Sequence, residues 1–220
     1  MSINLSEEYM QVTKSSGVSQ NFDAQKIIQV LTWQCEGTQI DPYELYEEIK
    51  THLVDGMSTK DIQKICIKVA ANLISVEEPD YQYVAAKGLM FALRKDVYGQ
   101  FEPPAFIDHI SYCVNEGKYD PELLSQYSAE EIIYLDSQIK HERDFDLTYA
   151  GAMQLKEKYL VKDKTTGKIY ETPQFAIMAI GMALHQDETH DRLKHIIRFY
   201  DAVSTHQVSL PTPIMAGART

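Results

Sequence analysis

Between residues 59 and 75, in TKDIQKICIKVAANLIS, the apolar residues Ile62, Ile65, Cys66, Val69 and Leu73 recur at i, i+3, i+4, i+7 and i+11. That period places them on one face of a helix and excludes a half-buried strand, which needs strict alternation. Ser58 or Thr59 precedes the run as an N-cap. The same grammar recurs along the chain. Asp23 is an N-cap for AQKIIQVLTWQC, with Ile27, Val30, Leu31 and Gln34 on one face and Gly37 as the stop. Asp41-Pro42 opens a second helix with apolar Tyr43, Leu45, Ile49 and Leu53, ended by Asp55-Gly56. A further helix follows Pro79-Asp80, from Tyr81 to Val97. Ahead of these helices, YMQVTKSSGVSQNF (9–22) reads as a β-hairpin turning at Ser15-Ser16-Gly17. Residues 1–98 therefore read as one unit, a hairpin followed by four helices.

Tyr98 to Pro104, YGQFEPP, forms a joint. Residues 99–220 are predicted to be mostly helical. Phe106, Ile110 and Val114 form one stripe, and Ile132, Ile133, Leu135 and Ile139 another. KDKTTGKI (162–169) reads as a turn between short strands at 159–161 and 169–171. FAIMAIGMALH (175–185) is apolar nearly all round, as a core helix is, and LKHIIRFYDAVS (193–204) is amphipathic. The tail VSLPTPIMAGART (208–220) is mostly apolar where termini are usually polar.

Composition limits what such a chain can do. Apolar residues make up 44%, enough for a core. No run of 18 apolar residues exists, and MSINLSEEYMQ lacks the basic start and apolar stretch of a signal peptide, so the expected location is the cytoplasm. The net charge of −11 argues against nonspecific nucleic-acid binding but leaves room for a local anion pocket. Cys35, Cys66 and Cys113 are far apart and form no C-x-x-C, so each is expected to be a buried thiol.

Four groups of residues could carry chemistry. Lys14 ends a strand before the hairpin turn, Lys26 lies early in the first helix, the third helix starts at Ser58-Thr59, and Lys95 ends the fourth helix. Lysines converging on a helix N-terminus can hold a polyphosphate; the alternative is solvated lysines and an ordinary cap. No standard phosphate loop is present. ALHQDETHDRLKH (183–195) offers His185, His190, His195, Asp187, Glu188 and Asp191, but at spacings that match no zinc motif, and it reads as a polar link between helices. KHERDFD (140–146) reads as a solvated helix end. Thr212, between two prolines in SLPTP, could present a hydroxyl to a phosphate.

Taken together and in order, VTKSSGVSQNFDAQKI, DGMSTKDI, EPDYQYVAAKGLMFALRK, YGQFEPP, GKYDPELL, KYLVKDKTTGKIYETPQFA, RFYDAVST and SLPTPIMAG resemble the large (α) subunit of class I ribonucleotide reductase, in the form carried by T-even-type bacteriophages. The resemblance implies an ATP cone over residues 1–98, binding ATP or dATP as allosteric effector. It implies that 99–220 is the helical region preceding a ten-stranded α/β barrel that is not in this sequence. Carried over by position, Lys14, Gln20, Asn21, Phe22, Lys26, Ile27, Thr59 and Lys95 would contact the nucleotide, and Thr212 the substrate diphosphate. No catalytic residue and no metal ligand is assigned to these 220 residues. The implied partners are the C-terminal catalytic portion of the large subunit and a small (β) subunit whose di-iron–tyrosyl centre makes the radical, in an oligomer of large subunits, with no nucleic acid or membrane.

The departures bear on regulation. Ser15 stands where many regulated members have Arg, Gln20 where they have an acidic residue, and Gln63 and Ala92 where they have histidines. Weak or absent dATP inhibition is expected. The tail is expected to be the first approach to a barrel strand. Either a second chain from a split gene supplies the remainder or the sequence is a fragment; a stand-alone nucleotide sensor and an inactive remnant are the alternatives.

Overall fold

A computed structural model describes residues 10–14 and 16–220; Ser15 and the start of the chain lie outside the described residues. The described part is mainly helical, with one two-stranded sheet, and divides into two units. The first runs to Ala92 and includes Leu147–Ala150; the second holds Leu93–Asp146 and Gly151–Thr220.

Unit one begins with β1 (Gln11–Thr13) and β2 (Ser19–Asn21), paired antiparallel with Val12 opposite Gln20. Gly17 takes φ +81°, so the turn depends on a residue without a Cβ. Four helices follow as expected. α1 spans Ala24–Cys35 and α2 Pro42–Lys50, with Asp23 and Asp41 as side-chain caps. α3 spans Thr59–Asn72 with Ser58 as its cap, and α4 spans Tyr81–Tyr98. α4 contributes its residues through Ala92 to unit one and the remainder to unit two. The core gathers Val12, Leu31, Leu45, Ile49, Cys66, Ala70 and Val84, among others.

The α3 face forms as the sequence places it, with Ile62, Cys66 and Val69 buried, whereas α1 and α2 bury the expected rows only in part. α1 buries Ile28, Leu31, Gln34 and Cys35, leaving Ile27 and Val30 half-buried. α2 buries Leu45, Tyr46 and Ile49 and leaves Tyr43 60% exposed. Tyr43 directly follows Pro42 in the first turn, and the α2 residues that fall in line with Ile49 and Leu45 are the ones turned to the core.

Unit two contains α5 (Phe106–Asn115), α6 (Glu122–Ser125), α7 (Ala129–Asp136), α8 (Tyr149–Gln154, its last four residues), α9 (Pro173–His185), α10 (Arg192–Ser204) and α11 (Thr212–Gly217). α9 is buried from Pro173 to Met182, as its all-round apolar sequence requires, and it packs mainly on α10. Gly181 allows that approach: a Cβ there would lie 3.0 Å from the Phe199 ring. α5 buries Phe106, His109, Ile110 and Cys113 rather than Val114, and Ile133 of α7 is 59% exposed.

Two expectations fail. The strands at 159–161 and 169–171 reduce to one antiparallel bridge, Lys162 with Ile169, because Leu155–Tyr159 remains in a wide helical turn. The Asp163–Gly167 turn forms as expected, with the Asp163 carboxylate accepting from the backbone of Thr165 and Thr166, both at 2.9 Å. The tail does not approach as a strand. Pro213 sits in the first turn of α11, where its missing N–H costs nothing, and the helix ends at Gly217.

Candidate functional site

In unit one, the hairpin is seated on the segment leading into α3. The Gln11 amide donates to Asp55 Oδ1 (2.7 Å), Gly56 N–H to Gln11 O (2.8 Å) and Thr13 N–H to Met57 O (3.0 Å). Thr13 then forms a parallel bridge with Ser58, the N-cap of α3. Lys14 directly follows the strand end that this bridge joins to the start of α3. The turn closes on Lys14 itself, whose N–H donates to Val18 O and whose carbonyl accepts from Gly17.

The predicted residues differ in what they present. Lys14, Asn21, Lys26 and Thr59 are exposed, and Gln20 is half-buried. Asn21 accepts from Gln11 Nε2 at 2.7 Å, which ties the two strands together. Lys26 pairs loosely with Asp23 at 3.5 Å, a surface contact that a phosphate can displace at small cost. Phe22 and Ile27 are partly buried and pack against the core of unit one. Lys95 is exposed in the last turn of α4, with part of its stem buried enough to pull its ammonium pKa below the usual lysine value. It belongs to unit two.

The N-terminus of α3 is already engaged. Ser58 Oγ accepts from the Asp61 N–H (3.0 Å), and the Asp61 carboxylate accepts from Ser58 Oγ and from Lys64 Nζ. Those hydrogen bonds hold the Asp61 carboxyl below its usual range. One turn further, Gln63 has a buried Nε2 without a hydrogen-bond partner. A buried donor left unmet costs about 1–3 kcal/mol, so an acceptor supplied by a ligand would be favoured there. The sequence marked Gln63 only as a replaced histidine; the unmet donor emerges from packing.

In unit two, Thr212 is exposed at the first residue of α11, and its hydroxyl lies 3.4 Å from the Tyr159 hydroxyl. Hydrogen bonds from Thr212 and Lys158 hold the Tyr159 phenol below its usual pKa.

Beneath α11 lies a group that the sequence did not reveal. Arg219 is fully buried and pairs with Glu171, also fully buried. Arg219 Nη1 donates to Met215 O (2.8 Å) and Nη2 to Tyr159 O (3.1 Å), while Tyr119 and the Val161 N–H both donate to Glu171 at 2.5 Å. Burial alone would raise the Glu171 pKa; the guanidinium and the Tyr119 hydroxyl overcome it and hold the carboxyl below its ordinary value. Glu171 and Arg219 read as surface residues because they are charged, and only their pairing makes burial tolerable. A second buried pair, Arg94 with Asp144 (3.2 Å), lies at the joint; the Arg94 guanidinium carbon is 5.2 and 4.5 Å from the Phe101 and Phe145 ring centres. The expected solvated helix end at 140–146 therefore has Asp144 inside. The three thiols are buried, and burial raises their pKa values to about 11 for Cys35 and 12 for Cys66 and Cys113. No helix among the described residues is long and apolar enough to cross a membrane.

Two protein-family models match the chain: the ATP cone domain over residues 10–96 and the ribonucleotide reductase all-alpha domain over residues 145–220. The chain is 77% identical over 213 residues to the ribonucleoside-diphosphate reductase subunit alpha of Enterobacteria phage T4, which covers 97% of this chain and 28% of the relative. It is 46% identical over 213 residues to ribonucleoside-diphosphate reductase 1 subunit alpha of Escherichia coli K12, covering 95% of this chain and 28% of the relative. The corresponding alpha subunit of Haemophilus influenzae is 44% identical over 217 residues, covering 96% of this chain and 28% of the relative. The chain thus spans 28% of the length of the curated relatives it matches. With its two matched domains in this order, the chain holds an ATP cone domain followed by a ribonucleotide reductase all-alpha domain, and over nearly all its residues it is similar to part of ribonucleoside-diphosphate reductase alpha subunits.

Proposed function

We propose that this chain provides the effector-binding and leading helical parts of a ribonucleoside-diphosphate reductase large subunit, residues 1–98 serving as the cone and 99–220 as the region ahead of the catalytic barrel. Completed by the C-terminal catalytic portion and by a small (β) subunit with a di-iron–tyrosyl centre, it takes part in reducing ribonucleoside diphosphates to deoxyribonucleoside diphosphates for DNA synthesis. The assembled large subunit works as a homo-oligomer in the cytoplasm, of the host cell if phage-encoded, without nucleic-acid or membrane partners.

The observation that carries the effector reading is the Thr13–Ser58 bridge, which joins the strand end just before Lys14 to the start of α3. In a chain of net charge −11, ATP or dATP needs such a local cation and helix dipole to be drawn in at all. Lys14 and Lys26 neutralise the phosphates, Thr59 donates its hydroxyl, Gln63 offers its unmet amide, and Lys95 contributes from the end of α4. Gln20, Asn21, Phe22 and Ile27 border the nucleotide. Thr212 positions the substrate diphosphate through its hydroxyl.

Calorimetric titration of ATP and dATP into the full chain tests this. Lys14→Ala is expected to weaken binding by about 1.5–3 kcal/mol, the range for a charged hydrogen bond. Unchanged affinity in Lys14→Ala, Lys26→Ala and Thr59→Ala would remove the site. In the completed enzyme, dATP is expected to inhibit weakly or not at all because Ser15, Gln20, Gln63 and Ala92 replace the regulated pattern; shut-off at micromolar dATP would overturn that.

A further inference from the structure

The link between α9 and α10 brings together three side chains that are not neighbours in sequence. His185 is the last residue of α9, Glu188 stands in the link, and His195 lies in the first turn of α10. His185 Nδ1 is 2.6 Å from Glu188 Oε1, and His195 Nδ1 is bonded to Glu188 Oε2. One ligand atom from each residue lies within 4.8 Å of the other two.

The surroundings hold this arrangement. The His185 ring stands edge-on to Phe199 of α10, with centres 6.0 Å apart. Asp191 adopts φ 54°, turning the link sharply into α10. The two neighbouring cations are committed to other carboxylates: Arg192 makes a two-pronged contact with Glu131, and Lys194 pairs with Asp191 at 2.6 Å. A surface cleft of about 910 Å³ reaches Glu188 and gives access from solvent.

We propose that His185, Glu188 and His195 form a binding site for a divalent transition-metal ion of the zinc class. Two imidazole nitrogens and one carboxylate are donors that such ions prefer, whereas magnesium and calcium favour oxygen alone. Each histidine Nδ1–H now donates to Glu188. A metal ion bound to the same nitrogens and the same carboxylate takes the place of those two protons. The ion would clamp the end of α9 to the start of α10. The linear spacing concealed this because the three ligands come from two helix ends and the turn between them, rather than from one helix or loop.

Visible absorption of Co²⁺ added to the purified full chain, followed by displacement with Zn²⁺, tests the site, with the zinc-dependent rise in melting temperature as a second readout. Saturable cobalt bands displaced by zinc are expected. His185→Ala, Glu188→Gln and His195→Ala should each weaken binding by more than about tenfold. His190→Ala, in the same link but outside the cluster, should leave it unchanged. Circular dichroism of the metal-free variants checks that they fold. Absence of cobalt bands and of any zinc-dependent melting shift, or binding that survives in folded Glu188→Gln and His195→Ala, would overturn the proposal.

Discussion

Arg219 shows how much a single side chain can decide. It is the last residue but one, yet it is as buried as any aliphatic residue in unit two, and it satisfies Glu171 and two backbone carbonyls at once. Removing it strands a carboxylate in the interior. Arg219→Leu is expected to lower stability by about 3–5 kcal/mol, the cost of breaking a buried pair. The double variant Arg219→Leu/Glu171→Leu should recover a large part of that loss, since it removes the unpaired charge as well. Urea unfolding followed by circular dichroism compares the two. Equal losses in the single and double variants would mean that the pair is not what anchors α11.

The elements carry their own tests. In an isolated helix, Gly→Ala gains up to about 1 kcal/mol. At Gly181 of α9 the new methyl would stand 3.0 Å from the Phe199 ring and 3.4 Å from an Ile196 methyl, so α10 must shift. Gly181→Ala is therefore expected to destabilise by about 1–3 kcal/mol, reversing the sign that propensity alone gives. A rise in melting temperature would refute this. At the start of α3, Ser58→Ala removes the acceptor for the Asp61 N–H and the donor to its carboxylate, an expected loss of about 1 kcal/mol by thermal melting. Because Thr13 bridges to Ser58, the same change should also weaken ATP binding if the seating of the hairpin matters.

At the scale of the whole molecule, three buried groups of unit two make stability depend on pH. Burial pushes His109 and His141 down to about 4, with Arg94 adding to the effect at His141. Both are neutral in the folded chain while an unfolded histidine takes up its proton near 6.5. Burial pushes Asp144 the other way, up to about 6, against the opposing pull of Arg94, whereas its unfolded carboxyl titrates near 3.8. Between pH 6 and 4, the unfolded chain holds a proton on both imidazoles and the folded chain only one, on Asp144. Unfolding then takes up a net proton at these sites, so their contribution to stability falls as pH drops, by about 1.4 kcal/mol per pH unit. Urea midpoints measured from pH 7 to 4 should follow that direction, and His109→Gln should flatten the slope. Equal slopes in the variant and the parent would rule His109 out.

What the sequence determined by itself is local. The hairpin turning at Gly17, the caps Asp23, Asp41 and Ser58 and the buried α9 follow from residues within a few positions of one another. Backbone propensity and capping act at that range, so they leave a readable pattern. Tertiary structure alone decided which rows of α1, α2 and α5 face inward, because side-by-side helix packing selects among nearly equivalent apolar faces. It also decided the pairings Glu171–Arg219, 48 residues apart, and Arg94–Asp144, 50 apart, and the meeting of His185, Glu188 and His195. Those residues are charged or polar, and sequence assigns such side chains to water; only a partner brought from a distant segment makes their burial or convergence favourable.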